Sequence, residues 1–325
     1  MHPIHIERSM HRHIIHILAL AAIITSCTAP KKDDIVPSTG AKVDLTLKIT
    51  SVSPSTKTSI EEHTGEDGKS TFGLNWSKGD RLGLFLDTWE SGGKPALEMA
   101  NTAEDGENAS FQGLLKDILD GSHTLYTYSP ASTLKGTEGQ SKLNFAIPSE
   151  QHVSGGSFDP AADIVVGKGY NIVVKADNPV AEINNIRFSR ILATVMVSVS
   201  NKGTAKLDGE TIRKITLTSK MPDAALSGTI QWDYESESIS VISARNTVSA
   251  ELEKPIPLDG TASAYILLNP ITLSKGSSFV TTLETQKHRI TKTIASLPQD
   301  LNFPGNNISA LKLSITDADT IIEEI

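Results

Sequence analysis

Cys27 is the one cysteine in a chain of 325 residues, so any thiol chemistry rests on it. It follows an apolar run (Ile14, Ile15, Ile17, Leu18, Ala19, Leu20, Ala21, Ala22, Ile23, Ile24), which itself follows Arg8 and Arg12. A cationic start, an apolar stretch and small or hydroxylated residues before a cut are the order of an export signal. The stretch is shorter than the roughly 20 residues needed to span a bilayer. The sequence therefore predicts a signal peptide over residues 1–26 and makes Cys27 a candidate lipid anchor on a linker of residues 27–40.

Other chemistry is sparse. Without a second cysteine there is no intrachain disulfide and no thiolate metal cluster. Beyond Cys27 the histidines are His63, His123, His152 and His288, too far apart in sequence for a local zinc motif. Gly65-Glu66-Asp67-Gly68-Lys69-Ser70 has the end of a phosphate loop, but His63 stands where its first glycine belongs, so a hairpin turn is the better reading. No Gly-x-Ser-x-Gly elbow occurs. Asp317 with Asp319, or Glu323 with Glu324, could form a carboxylate pair, yet a flexible tail would not hold the fixed spacing that catalysis requires. No catalytic, cofactor-binding or metal-binding residue is assigned, and no enzyme is expected. The formal charge is −8; residues 1–26 contribute +1, which leaves −9 from Cys27 onward. Such a surface repels phosphate backbones, which argues against nucleic acid as a partner.

The elements that would position these residues are strands. Val43, Leu45, Leu47 and Ile49 alternate with polar residues, the period of a strand with one buried face. The same alternation returns at Ala193–Val199, Ile230–Tyr234 and Leu311–Ile315, with turn clusters between such runs. Ile183 to Val199 reads as the opening of a long strand, and Gly113 to Leu119 as the one short helix. Trp76 and Trp232 read as core, and Trp89, beside Ser91-Gly92-Gly93, as a loop platform. The fold class is all-β, with antiparallel Greek-key sandwiches. Pro179 constrains its predecessor, so Ala176-Asp177-Asn178-Pro179 is the expected division between an N-terminal sandwich at 41–179 and a C-terminal one at 180–325.

Several segments, in order, resemble a known family. Ile24-Thr25-Ser26-Cys27 resembles a bacterial lipobox, and Lys31-Lys32-Asp33-Asp34 is similar to a surface-export tag of Bacteroidetes lipoproteins. Thr56-Lys57-Thr58 and then Trp76-Ser77-Lys78-Gly79-Asp80-Arg81-Leu82-Gly83-Leu84-Phe85 resemble the signature of the fimbrillin family, the lipoprotein subunits of Bacteroidetes type V pili. Tyr126-Thr127-Tyr128-Ser129-Pro130, Phe145-Ala146-Ile147-Pro148 with Gln151, Asp159 to Val166, and Ile186 to Ala193 follow in family order, with Arg190 in place of the usual His.

The resemblance implies two tandem transthyretin-like sandwiches and an outer-membrane, surface-exposed lipoprotein assembled into a fimbrium. In that family a trypsin-like protease cuts the loop after the first strand, and a terminal strand of the next subunit fills the groove left behind. Carried onto this chain, the excised strand holds Val43, Leu45, Leu47 and Ile49. The candidate cut follows Lys57, the one basic residue of the loop 53–59. The candidate donor, within 308–325, holds Leu311, Leu313 and Ile315. The implied partners are other fimbrial subunits, the outer membrane through the lipid, the processing protease, and an adhesion ligand on host or bacterium. Tip or anchor variants of the subunit fit the same residues. The alternative is a surface lipoprotein that never polymerises and binds a glycan or host ligand.

Overall fold

The computed structural model describes residues 36–51, 59–64, 70–88, 97–106, 108–139, 141–154, 156–221 and 223–325. Almost all of the regular structure in these residues is strand, broken by two single-turn 3-10 segments. The chain is an all-β protein.

The strand Lys42–Ser51 forms where three residues with side chains on one face, Leu45, Leu47 and Ile49, become fully buried while Asp44 and Lys48 stay exposed. It is the middle of a three-stranded sheet, antiparallel to Ala109–Leu119 and parallel to Val180–Ile186. A second sheet runs in the order Leu97–Ala100, Arg81–Leu86, Gly121–Ser129, with Val165–Gly167 and Tyr170–Val174 both paired to the last of these. The facing sides of the two sheets share one hydrophobic core, which includes Leu47, Trp76, Leu84, Phe111 and Ile183. Trp76 stands edge-on to Phe111 and Phe188, with centroids 5.5 and 5.3 Å away.

The later part of the chain repeats this arrangement. Ala193–Asn201 is the middle of a three-stranded sheet, antiparallel to Asp259–Leu268 and parallel to Ile308–Ile315. Its companion sheet runs Thr247–Pro257, Thr211–Ser219, Phe279–Glu284, His288–Ile294. With Val165–Gly167 and Tyr170–Val174 counted as one interrupted strand, and only the strands of these two sheets counted, each unit places its seventh, first and fourth strands in one sheet and its third, second, fifth and sixth in the other. A second core, from Ala193 to Ile315 with Val153 added, fills the later unit. Residues 175–178 make a tight turn closed by a bridge between Lys175 and Asn178, and Val180–Ile186 beyond it lies in the first core with Phe188, Ile191 and Leu192.

A four-stranded sheet joins the units. Its order is Ser238–Arg245, Ser227–Asp233, Lys142–Ile147, Leu134–Glu138, two strands from each. It covers the outer face of Arg81–Leu86 and Gly121–Ser129: Tyr126 meets Tyr234 at 4.6 Å and Tyr128 meets Phe145 at 5.3 Å between ring centroids. Arg81–Leu86 is therefore buried on both faces. A methyl group on Gly83 would come 2.2 Å from the Tyr128 ring, which is why glycine interrupts the leucines there. Glu150–Val153 also crosses over, pairing parallel with Thr247–Pro257. Gln151, fully buried, donates from Nε2 to the carbonyl of Leu267 (2.6 Å) and accepts its N–H (3.0 Å) through Oε1.

Four expectations need correction. Gly113–Leu119 is strand, not helix. Between the pairs Val43/Ile118 and Leu45/Leu115 the longer strand carries an extra residue, with Asp117 at φ 56°, and this bulge gives buried Leu115 and Ile118 a helix-like spacing. Residues 183–199 form parts of three strands, broken at Arg187 and at Ile191-Leu192. Trp232 is half-buried and packs on the margin of the first core. The C-terminal tail is not frayed: Thr320–Glu324 pairs antiparallel with His288–Ile294, where Lys292 bonds both Asp319 and the carbonyl of Ser314.

Candidate assembly groove

The groove occupied by Lys42–Ser51 is built from residues far away in sequence. On one wall, the amide of Thr46 donates to the carbonyl of Pro179 (2.8 Å), and the Ser51 hydroxyl donates to the carbonyl of Ile186 (3.1 Å). Lys48 pairs with Glu182 at 2.9 Å, and the Thr50 hydroxyl donates to Asn184 Oδ1 at 3.2 Å. The Lys48 pair is half exposed, so water screens it and it contributes little. The apolar face does the holding: burying Leu45, Leu47 and Ile49 contributes about 5–9 kcal/mol at roughly 1.5–3 kcal/mol per side chain. Val43, near the start of the strand, is half-buried.

Ahead of the strand, residues 36–41 are fastened by Asp120, a residue that no motif pointed to. Its carboxylate accepts from the Ser38 hydroxyl (2.9 Å), the Thr39 amide (2.9 Å) and the Thr39 hydroxyl. The Thr39 hydroxyl above all holds the Asp120 carboxyl below the ordinary carboxylate range; burial opposes the shift, and the Ser38 hydroxyl adds to it. The Asp120 amide donates to Ala41 at 2.8 Å, and Ser122 exchanges two bonds with Val36. In sequence, Asp120-Gly121 announces a turn and nothing more.

The candidate donor residues sit in the second unit. Leu313 and Ile315 are buried in its core and Leu311 is half-buried, on a strand that forms the edge of its sheet beside Ala193–Asn201. Within this chain the candidate donor and the candidate groove belong to different cores. Lys57 and Cys27 lie outside the described residues, as do Trp89 and the turn at 65–69; the flanks of that turn, Ser59–Thr64 and Ser70–Asn75, pair as a hairpin.

Arg190 is tied into the fold by its charge. Its guanidinium forms a two-pronged pair with Asp163, both side chains being at least 96% buried, and lies 4.7 Å from the Phe158 ring centre. The pair ties the segment 158–165 to Phe188–Arg190, beside the junction of the two units. A cleft of about 300 Å³ next to it is lined by Trp76, Arg81, Glu98 and Asp163 among others. Among the described residues no group of three His, Cys, Asp or Glu side chains could hold a metal ion, and no helix is long and apolar enough to cross a membrane.

The chain is similar to solved structures of Bacteroides proteins described as cell adhesion or fimbrial proteins. A Bacteroides uniformis protein named for a suggested role in cell adhesion is 13% identical, with a TM-score of 0.46, covering 89% of this chain and 98% of its own. A Bacteroides ovatus protein of the same description is 13% identical at a TM-score of 0.46, over 88% and 96%. A fimbrial protein of Bacteroides vulgatus is 10% identical at 0.33, over 88% and 98%. No family model matches the chain, and no curated protein does either.

Proposed function

We propose that this chain is a structural subunit of a cell-surface fimbrium, exported as an outer-membrane lipoprotein through Cys27 and assembled by protease-triggered strand exchange. The observation that carries the reading is the place of Lys42–Ser51. A strand in the middle of a sheet, with three side chains fully buried, is followed within a few residues by the segment that contains Lys57. One cut after Lys57 severs the strand and everything before it from the rest of the fold.

The consequence follows from magnitudes. Losing about 5–9 kcal/mol of burial is comparable to the whole stability of a domain, about 5–15 kcal/mol. A cut subunit therefore gains much by taking up another strand, and the two open sheet edges on either side accept one through main-chain bonds. Ile308–Ile315 of the next subunit has the matching alternation and is the donor in this reading. In this reading the two sandwiches part between Leu192, in the first core, and Ala193, in the second.

The test is a strand add-back. The chain is cut between residues 52 and 58 by an engineered protease site, the upstream peptide is removed in mild denaturant, and synthetic peptides spanning 42–51 or 308–315 are added. Both peptides are expected to restore stability. Refolding to full stability with no peptide would overturn the proposal.

A further inference from the structure

Residues 36–40 are exposed and Ala41 is half-buried, so little apolar burial holds them to the fold. The Asp120 side chain, 6% exposed, and its own amide hold them instead. Two of these bonds go to main chain: the Thr39 amide donates to Oδ1 of Asp120 at 2.9 Å, and the Asp120 amide donates to the Ala41 carbonyl at 2.8 Å. Between the two bonded residues, Gly40 turns the backbone at φ 85°. Every residue but proline carries the same main-chain donor and acceptor, so another segment that turns in the same way can make both bonds.

Which segment can do so follows from register. In the strand-exchange reading, on which this inference rests, Ile308–Ile315 of a second copy takes the place of Lys42–Ser51. Running in the same direction, it fills the three buried positions with Leu311 at Leu45, Leu313 at Leu47 and Ile315 at Ile49. A slip of two residues one way brings Ser309 to the Leu45 position, a slip the other way brings Asp317 to that of Ile49, and a slip of one turns the apolar face outward. The same count sets Gly305 at Thr39, Asn306 at Gly40 and Asn307 at Ala41. Asn306 already has φ 55°, in the left-handed region where residues other than glycine are uncommon. The two turns therefore match at the residue where a mismatch would be strained. In its own unit the Asn306 amide donates to the Leu192 carbonyl (2.9 Å) and the Asn307 carbonyl accepts from the Thr194 amide (3.0 Å), so these residues already form a hydrogen-bonded lead-in to their strand.

We propose that Asp120 is a second docking point for the incoming subunit: once residues 36–41 have left, it takes up Gly305-Asn306-Asn307 of the next copy through the Gly305 amide and the Asn307 carbonyl. Asp120 thereby pins the register of the donor strand at one end of the groove. Gly305 has no hydroxyl to stand in for that of Thr39, so the incoming segment binds at this point less tightly than the one it replaces.

The test uses the full chain, cut between residues 52 and 58 by an engineered protease site, with the upstream strand left in place. Fluorescent peptides 308–315 and 305–315 are titrated against it, and uptake is read by anisotropy. The resident strand competes equally with both, so the ratio of their affinities reports the three added residues alone. Peptide 305–315 should bind about ten-fold tighter, the scale of hydrogen bonding to a charged group. Asp120→Ala should remove that gap. Peptides 42–51 and 39–51 calibrate the site and should differ by more. In the longer donor peptide Asn306→Gly should keep the gain, and Asn306→Val, strained at positive φ, should lose it. Equal affinities of 305–315 and 308–315, or a gap that survives Asp120→Ala, would overturn the proposal while leaving strand exchange standing. Failure of both 308–315 and 42–51 to bind would remove strand exchange itself, and this docking point with it.

Discussion

Lys42–Ser51 and Ala193–Asn201 occupy the same place in two units of the same strand order. Each is the middle strand of a three-stranded sheet with one antiparallel and one parallel neighbour, and each buries an alternating apolar face. They differ in how they are tied to the chain. Ala193–Asn201 runs on from Leu192 in the first core and into the second unit, so a single cut beside it leaves it covalently attached to one of the two cores. Among the described residues only the short segment held by Asp120 precedes Lys42–Ser51, so one cut on its far side leaves it tied to the rest of the described fold by non-covalent bonds alone. On the proposed reading, equivalent packing gives one permanent strand and one that proteolysis releases.

The comparison breaks most visibly if the first strand is taken away. Removing residues 36–51 after a cut should cost about 5–9 kcal/mol, read as a drop in the first unit's denaturation midpoint, while the second unit's transition holds. A chain nicked between Ser219 and Ser227 should keep its second core, because strands on both sides of the nick stay bound in one sheet.

Next in size is Arg190→Met. It leaves Asp163 buried without its partner and should cost about 3–5 kcal/mol by urea denaturation. The double change Arg190→Met with Asp163→Leu should recover most of that loss, since an apolar pair carries no desolvation penalty.

Gln151→Ala sharpens the comparison differently. It leaves the amide and carbonyl of Leu267 buried without partners, each worth about 1–3 kcal/mol. Because Gln151 comes from the stretch that links the units, calorimetry should show the transitions of the two units moving further apart.

The smallest effects are in pH. The segment before the first strand is held by Asp120, and the last strand by Asp319, whose carboxyl the Lys292 ammonium, aided by Thr316, lowers to about 2. Both folded values are depressed, so each contribution is complete above the ordinary aspartate range, about 3.9, and is lost as pH falls through the lowered value. The protection of the amides at residues 36–41 and 320–324, relative to their intrinsic exchange rates, should therefore fall below about pH 4. Asp120→Asn and Asp319→Asn should each show fast exchange at its own segment already at neutral pH.

Much of the fold was legible because strand alternation is local. Leu45, Leu47 and Ile49 announce their buried face within a few residues, as do Val195 and Val197. What misled were places where distant pairing rewrites the local pattern. The bulge at Asp117 made a strand look helical. Pro179, read as a division, stands where the chain turns back to run Val180–Ile186 beside the first strand. The walls of the groove were not legible at all: Glu182, Asn184 and Ile186 come together with Thr46–Ser51 only through a parallel pairing across more than a hundred residues. Gln151 could be noticed as part of a motif, but its reason, a bond to Leu267, is tertiary.

The most direct measurement of the central claim is the N-terminus and assembly state of the protein taken from intact cell surfaces, by mass spectrometry and by gel without boiling. The account predicts a start at Thr58 and a heat-sensitive ladder that continues well beyond two copies. An acylated start at Cys27, in bands no larger than a dimer, would contradict it.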